Sequence, residues 1–188
     1  MTHRPSSLAS TLEHTLDHMR RAAAIKVMIF DVDGVLTDGS LTYGPDGEAT
    51  KTFNVLDGLG IELMQKTGVA AAIISARQSA IVIRRAADLK IAHVYQGIHD
   101  KRIAFAKLLE ATGVTAAECG YIGDDVIDLP LLLQVGFAVT VPTGHPEVQH
   151  RAHYVTRAGG GRGAVREVCD LVMRAQGNYE AALAPYFA

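Results

Sequence analysis

The chain has 188 residues, 48% of them hydrophobic, and a formal net charge of −2. This size and composition suit one globular domain with a sizeable core. The charges form no long run of one sign, so nothing indicates a nucleic acid or a membrane surface as a partner. No stretch reaches the roughly 18 consecutive apolar residues that a membrane-spanning helix needs.

The N-terminal part, residues 1–24, is predicted to be a polar helical extension. Its apolar residues recur at near-helical spacing over residues 8–24, and charged side chains lie between them. It lacks the apolar core of a signal peptide. Cys119 and Cys169 show no C-x-x-C spacing, which is typical of reduced thiols. We therefore expect a cytoplasmic protein.

Short apolar runs rich in β-branched residues alternate with helical patterns along the rest of the chain. The predicted strands are 25–30, 69–75, 93–96, 120–123 and 137–141, with a weaker one at 152–156. The first predicted helix after the hairpin can be capped by Asp57 and stops near Gly68. The other predicted helices span residues 78–89, 100–112 and 163–176. This alternation predicts an α/β fold with a parallel sheet covered by helices on both faces.

One segment breaks the alternation directly after the first strand. Residues 40–55 read as a β-hairpin around the turn Gly44-Pro45-Asp46-Gly47. It is too short to form a cap domain over the site. A second irregular segment, Gly159–Gly163, is interpreted as a flexible turn that attracts an anion before the last helix.

Polar residues follow the predicted strands, at the edge where parallel sheets bind ligands. Asp31 and Asp33 follow the first strand and Ser75 the second; Lys101 comes a few residues after the third, and Asp124, Asp125 and Asp128 follow the fourth. Any one acid could be a cap or turn residue. Acids crowded at one edge repel one another unless a cation holds them, and hard oxygen ligands indicate Mg²⁺ rather than zinc.

The D-x-D spacing suits phosphoryl transfer. Residues i and i+2 of an extended strand end point the same way, so Asp31 and Asp33 can address one reacting group. One carboxylate can attack phosphorus while the other manages the proton. Ser75 and Lys101 would bind the phosphoryl oxygens.

The set Asp31-x-Asp33-Gly-x-x-Thr37, Ser75, Lys101 and Gly123-Asp124-Asp125-x-x-Asp128 resembles the haloacid dehalogenase-like hydrolase superfamily. The resemblance implies a Rossmann-like fold, Asp31 as the phosphoryl-accepting nucleophile and Asp33 as the general acid/base. It also implies Mg²⁺ held by Asp31, the Asp33 carbonyl and Asp124, with Asp125 and Asp128 in support.

Further segments resemble one family within it, the phosphatases of 3-deoxy-D-manno-octulosonate 8-phosphate, which serve lipopolysaccharide precursor synthesis. These segments are Phe53-Asn54-Val55, Asp57-Gly58, Tyr95-Gln96-Gly97 and residues 158–171. The family resemblance implies a capless homotetramer in which a neighbouring subunit helps close the site. The candidate substrate-binding residues, some of them from a neighbouring subunit, are Asn54, Asp57, Arg77 and Arg162.

Leu56 departs from the family pattern, which has a basic residue there. The sugar acid is therefore left open between eight and nine carbons, with other small sugar phosphates as a further alternative. A non-catalytic phospho-acceptor module is the alternative from another class, although Asp33 would have no role in it. The chain divides into residues 1–24, a phosphatase domain at 25–176 and a tail at 177–188.

Overall fold

The computed structural model describes the backbone of residues 7–45 and 47–187 and the side chains of residues 15–45 and 47–187. The strands are β1 Val27–Phe30, β2 Thr42–Gly44, β3 Gly47–Thr50, β4 Ala70–Ile74, β5 His93–Tyr95, β6 Cys119–Ile122, β7 Phe137–Thr140 and β8 Tyr154–Val155. The helices are α1 Ser7–Ala24, α2 Val55–Lys66, α3 Ala80–Asp88, α4 Lys101–Thr112, α5 Leu129–Leu132, α6 Pro146–Gln149, α7 Ala164–Ala175 and α8 Tyr179–Leu183.

Six strands form a parallel sheet in the order β5-β4-β1-β6-β7-β8. Strand β1 lies between β4 and β6, with Phe30 level with Ile73 on one side and with Ile122 on the other. The chain runs outward from β1 to β5 and then returns to the other side of β1 at β6. The residues that follow β1, β4 and β6 therefore meet at one edge, where the strand order reverses.

The sheet is buried on both faces, which explains why its strands read as continuous apolar runs. Met28 and Phe30 of β1 face a core that includes residues of α2, α3 and α7. Val27 and Ile29 face a second core with residues of α4 and α5. The predicted α/β fold is confirmed, with helices on both faces of a parallel sheet.

The hairpin between β1 and α2 consists of β2 and β3, which pair antiparallel as a separate two-stranded sheet. It is short because the chain has only residues 38–54 for it. Residue 46 of the predicted turn lies outside the described residues. The prediction of a small hairpin and no cap domain agrees with this architecture.

The first turn of α2 differs from the prediction. Asn54, not Asp57, is the N-cap, because its side chain accepts a hydrogen bond from the Leu56 amide at 2.8 Å. Asp57 lies inside the first turn and its side chain points to another helix.

Helix α1 packs against α7, and Ala22 near its end and Ile25 directly after it belong to the core. The division into extension, domain and tail remains a prediction, and its residues 1–6 and 188 lie outside the described part of the chain. Within that part, no helix has the length and apolar character needed to cross a bilayer.

Candidate active site

The chain turns sharply directly after β1, at the two aspartates of the D-x-D pattern. Asp31 is extended and its amide donates to the Ile122 carbonyl at 3.0 Å, which continues the β1–β6 ladder by one residue. Val32–Leu36 then form a tight turn in which Gly34 has φ +88°. Asp33 itself has extended backbone angles within this turn, φ −76° and ψ 118°, and both aspartates line the same cavity.

Gly34 is required by its surroundings as well as by its backbone conformation. A Cβ at this position would overlap the carboxylate of Asp124, which follows β6. The glycine therefore lets the β1 turn approach the β6 loop closely.

Lys101 joins the first strand to the acids after β6. Its side chain is fully buried, and its ammonium lies 2.8 Å from Asp31 Oδ1 and 2.5 Å from Asp128 Oδ1. It also donates to the Tyr121 hydroxyl at 2.9 Å. Three acceptors thus surround the three N–H donors of the ammonium, as a buried charge requires.

Asp128 organises the loop after β6. Its Oδ2 accepts hydrogen bonds from the amides of Asp124 and Asp125 at 2.9 and 3.0 Å, while its Oδ1 accepts from Tyr121 and Lys101. Both oxygens are therefore committed within the protein, which agrees with a supporting place beside the site. Asp125 is exposed and caps the short 3₁₀ turn Val126–Asp128.

Electrostatics distinguish the acids of this edge. Burial raises the pKa of Asp31 to about 7, with Asp128 adding to the rise and Lys101 opposing it. Burial, Asp128 and Asp125 raise the pKa of Asp124 to about 7. Burial disfavours the charged form of Lys101, but Asp31 and Asp128 outweigh it and raise the pKa of the ammonium. The edge therefore holds more negative charge than Lys101 neutralises.

These residues fit Mg²⁺. Carboxylate oxygens of Asp31, Asp124 and Asp128 lie within 4.8 Å of one another, and every one is a hard oxygen donor. Because both oxygens of Asp128 are already hydrogen-bonded within the protein, Asp31 and Asp124 are the carboxylates that would hold the ion. The Asp33 carbonyl completes the ligand set that the family resemblance implies.

A cavity of about 260 Å³ opens over these groups, and Asp31, Asp33, Ser75, Arg77 and Asp124 are among the residues that line it. Ser75 follows β4 and is 3% exposed, and its hydroxyl accepts from the Arg77 amide at 3.3 Å. Arg77 is half-exposed, with its Nε 3.6 Å from Asp33 Oδ2. The cavity thus brings together six of the predicted site residues: Asp31, Asp33, Ser75, Arg77, Asp124 and Asp125.

The other candidate substrate residues lie outside this cavity. Asn54 and Arg162 line a neighbouring cavity of about 350 Å³, where Asn54 Nδ2 donates to the Gly161 carbonyl at 3.3 Å. Arg162 is largely exposed and lies 3.5 Å from Asp38. Asp57 is 1% exposed and accepts from the Arg166 amide at 2.8 Å.

The glycine-rich turn at 159–163 packs on the tight turn after β1. The Gly161 amide donates to the Val35 carbonyl at 2.9 Å, and a Cβ at Gly160 would overlap the Gly34 carbonyl. The turn is predicted to attract an anion at the start of α7. The carboxylate of Asp57 takes that position, because it accepts hydrogen bonds from the Gly163 and Arg166 amides. This turn therefore supports the tight turn after β1.

Sequence reasoning missed two groups that touch the predicted site residues. Tyr121 is fully buried and hydrogen-bonds to Lys101 and Asp128. Lys51, directly after β3, contacts Asp33 with its ammonium. Tyr121 lies on a predicted strand shortly before Asp124, which could have drawn attention to it; Lys51 carries no such signal.

Comparisons with known proteins agree with this geometry. The profile of the haloacid dehalogenase-like hydrolases matches residues 86–165. A 3-deoxy-D-manno-octulosonate 8-phosphate phosphatase of Escherichia coli is 48% identical over 166 residues, which cover 88% of each chain.

Solved structures of the same phosphatase superpose over most of the chain. The Yersinia pestis protein is 47% identical with a TM-score of 0.85, over 87% of this chain and 89% of that one. The Moraxella catarrhalis protein, solved with a magnesium ion, a phosphate ion and a KDO molecule, is 42% identical with a TM-score of 0.88, over 90% of this chain and 98% of that one. The chain therefore belongs to the 3-deoxy-D-manno-octulosonate 8-phosphate phosphatase family of haloacid dehalogenase-like hydrolases.

Proposed function

We propose that the protein is a Mg²⁺-dependent phosphatase that hydrolyses 3-deoxy-D-manno-octulosonate 8-phosphate to the free sugar acid and phosphate, in lipopolysaccharide precursor synthesis. The observation that carries the proposal is the cavity in which Asp31, Asp33, Ser75 and Asp124 meet. The Escherichia coli and Moraxella catarrhalis relatives, 48% and 42% identical over 88% and 90% of this chain, carry this activity in their names.

In this mechanism Asp31 attacks phosphorus with a carboxylate oxygen. The bond from phosphorus to the sugar oxygen breaks, and Asp33 donates a proton to the leaving oxygen. Asp33 then takes a proton from a water molecule that attacks the aspartyl-phosphate, which releases phosphate and restores Asp31. Lys101, 2.8 Å from Asp31 Oδ1, favours the ionised form of the nucleophile and orients it.

Ser75 would bind the phosphoryl oxygens in this scheme, whereas the three donors of Lys101, predicted for the same role, are taken by Asp31, Asp128 and Tyr121. Asp31, the Asp33 carbonyl and Asp124 would hold Mg²⁺. The bound cation neutralises negative charge on the phosphoryl group and on the carboxylates. Asp128 and Asp125 hold the loop that carries Asp124 in place.

We also propose that the active form is a cytoplasmic homotetramer in which a neighbouring subunit contributes to the substrate pocket. Large apolar side chains are exposed beside the cavities, including Val55 at 81%, Leu56 at 57% and Tyr43 at 61%. The hairpin alone leaves the cavity open, so a partner subunit would take the place of a cap. Light scattering on the eluting protein tests this state, and a monomer at working concentration would contradict it.

The decisive experiment is phosphate release from a panel of phosphorylated sugar acids and ordinary sugar phosphates, compared by kcat/KM in the presence of Mg²⁺. The eight-carbon sugar acid is expected to rank first, and Asp31→Asn is expected to abolish turnover without unfolding the protein. A nine-carbon acid in first place would correct the substrate. A stable phosphoprotein without turnover would favour the phospho-acceptor alternative.

A further inference from the structure

Lys51 lies at the end of the hairpin, with its ammonium between two carboxylates. It contacts Asp33 Oδ1 and lies 2.9 Å from Glu48 Oε1, and its side chain is 1% exposed. A lysine withdrawn from water in this way needs both partners to offset the loss of hydration. Its position is therefore fixed, unlike that of a mobile surface lysine.

The contact distinguishes the two oxygens of Asp33. Oδ1 is held by Lys51, whereas Oδ2 faces Arg77 Nε across 3.6 Å, beyond hydrogen-bond distance. Asp33 lines the cavity over Asp31. The ion pair thus fixes the rotation of the carboxylate and leaves Oδ2 as the oxygen available to a reacting group.

Glu48 fixes Lys51 in turn. Its second oxygen, Oε2, accepts a hydrogen bond from the hydroxyl of Ser79, which is the N-cap of α3. The contacts run in one line from α3 through Ser79, Glu48 and Lys51 to Asp33. They connect the hairpin to the catalytic turn through side chains alone.

We infer that Lys51 is a positioning residue for the reaction: it orients Asp33 so that Oδ2 can transfer a proton to the leaving oxygen. This inference rests on the proposed function. Lys51 itself does not line the cavity over Asp31, so it acts through Asp33 and not on the substrate. A residue that merely anchored the hairpin would affect all substrates equally, whereas one that orients the acid matters most where the leaving group needs a proton.

The test compares Lys51→Met with wild type in single turnovers of the Mg²⁺-loaded enzyme on two substrates. A sugar-acid phosphate has an alkoxide leaving group that needs a proton; p-nitrophenyl phosphate has a leaving group that departs without one. We expect sugar release to slow by about 10- to 100-fold and the first-turnover release of nitrophenol to change by less than about threefold.

Matched variants sharpen the comparison. Lys107→Met removes an exposed lysine from α4 and is expected to behave as wild type on both substrates. Lys51→Arg keeps the positive charge and is expected to recover much of the sugar release. Glu48→Gln leaves Lys51 in place but loosens it, and a smaller effect of the same kind is expected; these two variants carry the comparison if Lys51→Met does not fold.

Equal slowing of both substrates, or no slowing of either, in folded Lys51 and Glu48 variants would overturn the inference while the proposed function stands. A wild-type protein that releases phosphate from neither substrate would overturn both.

Discussion

Asp57, in the first turn of α2, caps α7 by accepting a hydrogen bond from the Arg166 amide at 2.8 Å, 109 residues further along the chain. Its other oxygen accepts from the Gly163 amide at 3.4 Å. The cap is buried, and burial raises the pKa of Asp57. One carboxylate thus joins two helices and fixes the end of the glycine-rich turn.

Replacing Asp57 is therefore expected to weaken the fold more than an ordinary cap loss. Asp57→Ala leaves two part-buried amides without this acceptor and should lower the free energy of unfolding by about 1–3 kcal/mol. Urea denaturation measures the change. Asp57→Asn keeps an acceptor oxygen and should cost less, so an equal loss in both variants would contradict the capping role.

The turn at Gly160 should not tolerate even one methyl group. A Cβ there would overlap the Gly34 carbonyl and lie 2.8 Å from the Thr37 carbonyl, both of them backbone atoms that cannot rotate away. Gly160→Ala should therefore displace the tight turn after β1 and reduce kcat by about 10-fold or more. Gly159→Ala is the control, because a Cβ at Gly159 meets nothing within 4 Å among the described residues. Equal activity of the two variants would argue against support from this turn.

Much of this arrangement could be predicted from the sequence, for a physical reason. Strands buried on both faces must be apolar throughout, so β1, β4 and β6 are visible as apolar runs, and the polar residues after them had to meet at one edge. For this reason the order of apolar runs and polar residues is enough to place Asp31, Ser75 and Asp124 together.

The contacts that connect distant segments could not be predicted. Nothing in the residues around Asp57 indicates that it meets Arg166 rather than its own helix, because a capping pattern records only local chain geometry. The partner of Lys51 depends on how the hairpin leans over the sheet, which turn residues alone do not determine. The assignment of Asn54 and Asp57 to substrate remains a prediction, and in this chain both side chains already serve the fold.

The buried ammonium of Lys101 should stabilise the protein strongly. Lys101→Met leaves Asp31 and Asp128 buried without their shared counter-charge, and the free energy of unfolding should fall by about 3–5 kcal/mol. Urea unfolding without Mg²⁺ measures it, with the exposed Lys107→Met as the control on the same helix. A decrease in the free energy of unfolding of less than about 1 kcal/mol would show that Lys101 is not needed to balance the charge of these two carboxylates.

Removal of Mg²⁺ should lower the thermal stability of the protein as well as its activity. Mg²⁺ held by Asp31 and Asp124, as we propose, would stabilise only the folded chain, and a saturating concentration should raise Tm by about 3 °C or more. Asp124→Asn should lose most of this increase. Glu110→Gln, an exposed acid on α4, should retain it, and the same Mg²⁺ response in both variants would place the cation elsewhere.

His153 should make the free energy of unfolding depend on pH in the mildly acidic range. Its Nδ1 accepts a hydrogen bond from the Ala138 amide at 2.9 Å, and burial, with Arg21 nearby, lowers the pKa of the imidazole while Asp17 opposes the shift. Because the folded pKa lies below the unfolded value of 6.5, the neutral ring contributes stability above that pH, which is lost as pH falls below it.

The measurement is the free energy of unfolding between pH 7.5 and 5. Wild type should lose more of it than His153→Gln, by at most about 1.4 kcal/mol per pH unit, since glutamine can accept the same bond without titrating. Parallel pH curves for the two proteins would exclude His153 as the cause.

The contact between the Gly161 amide and the Val35 carbonyl also sets the order of events during synthesis. The segment that supports the turn of the nucleophile Asp31 is synthesised more than a hundred residues after it. Nascent chains that end before residue 159 therefore lack that support even where the central strands have paired, and competence for catalysis requires that this later segment has been synthesised.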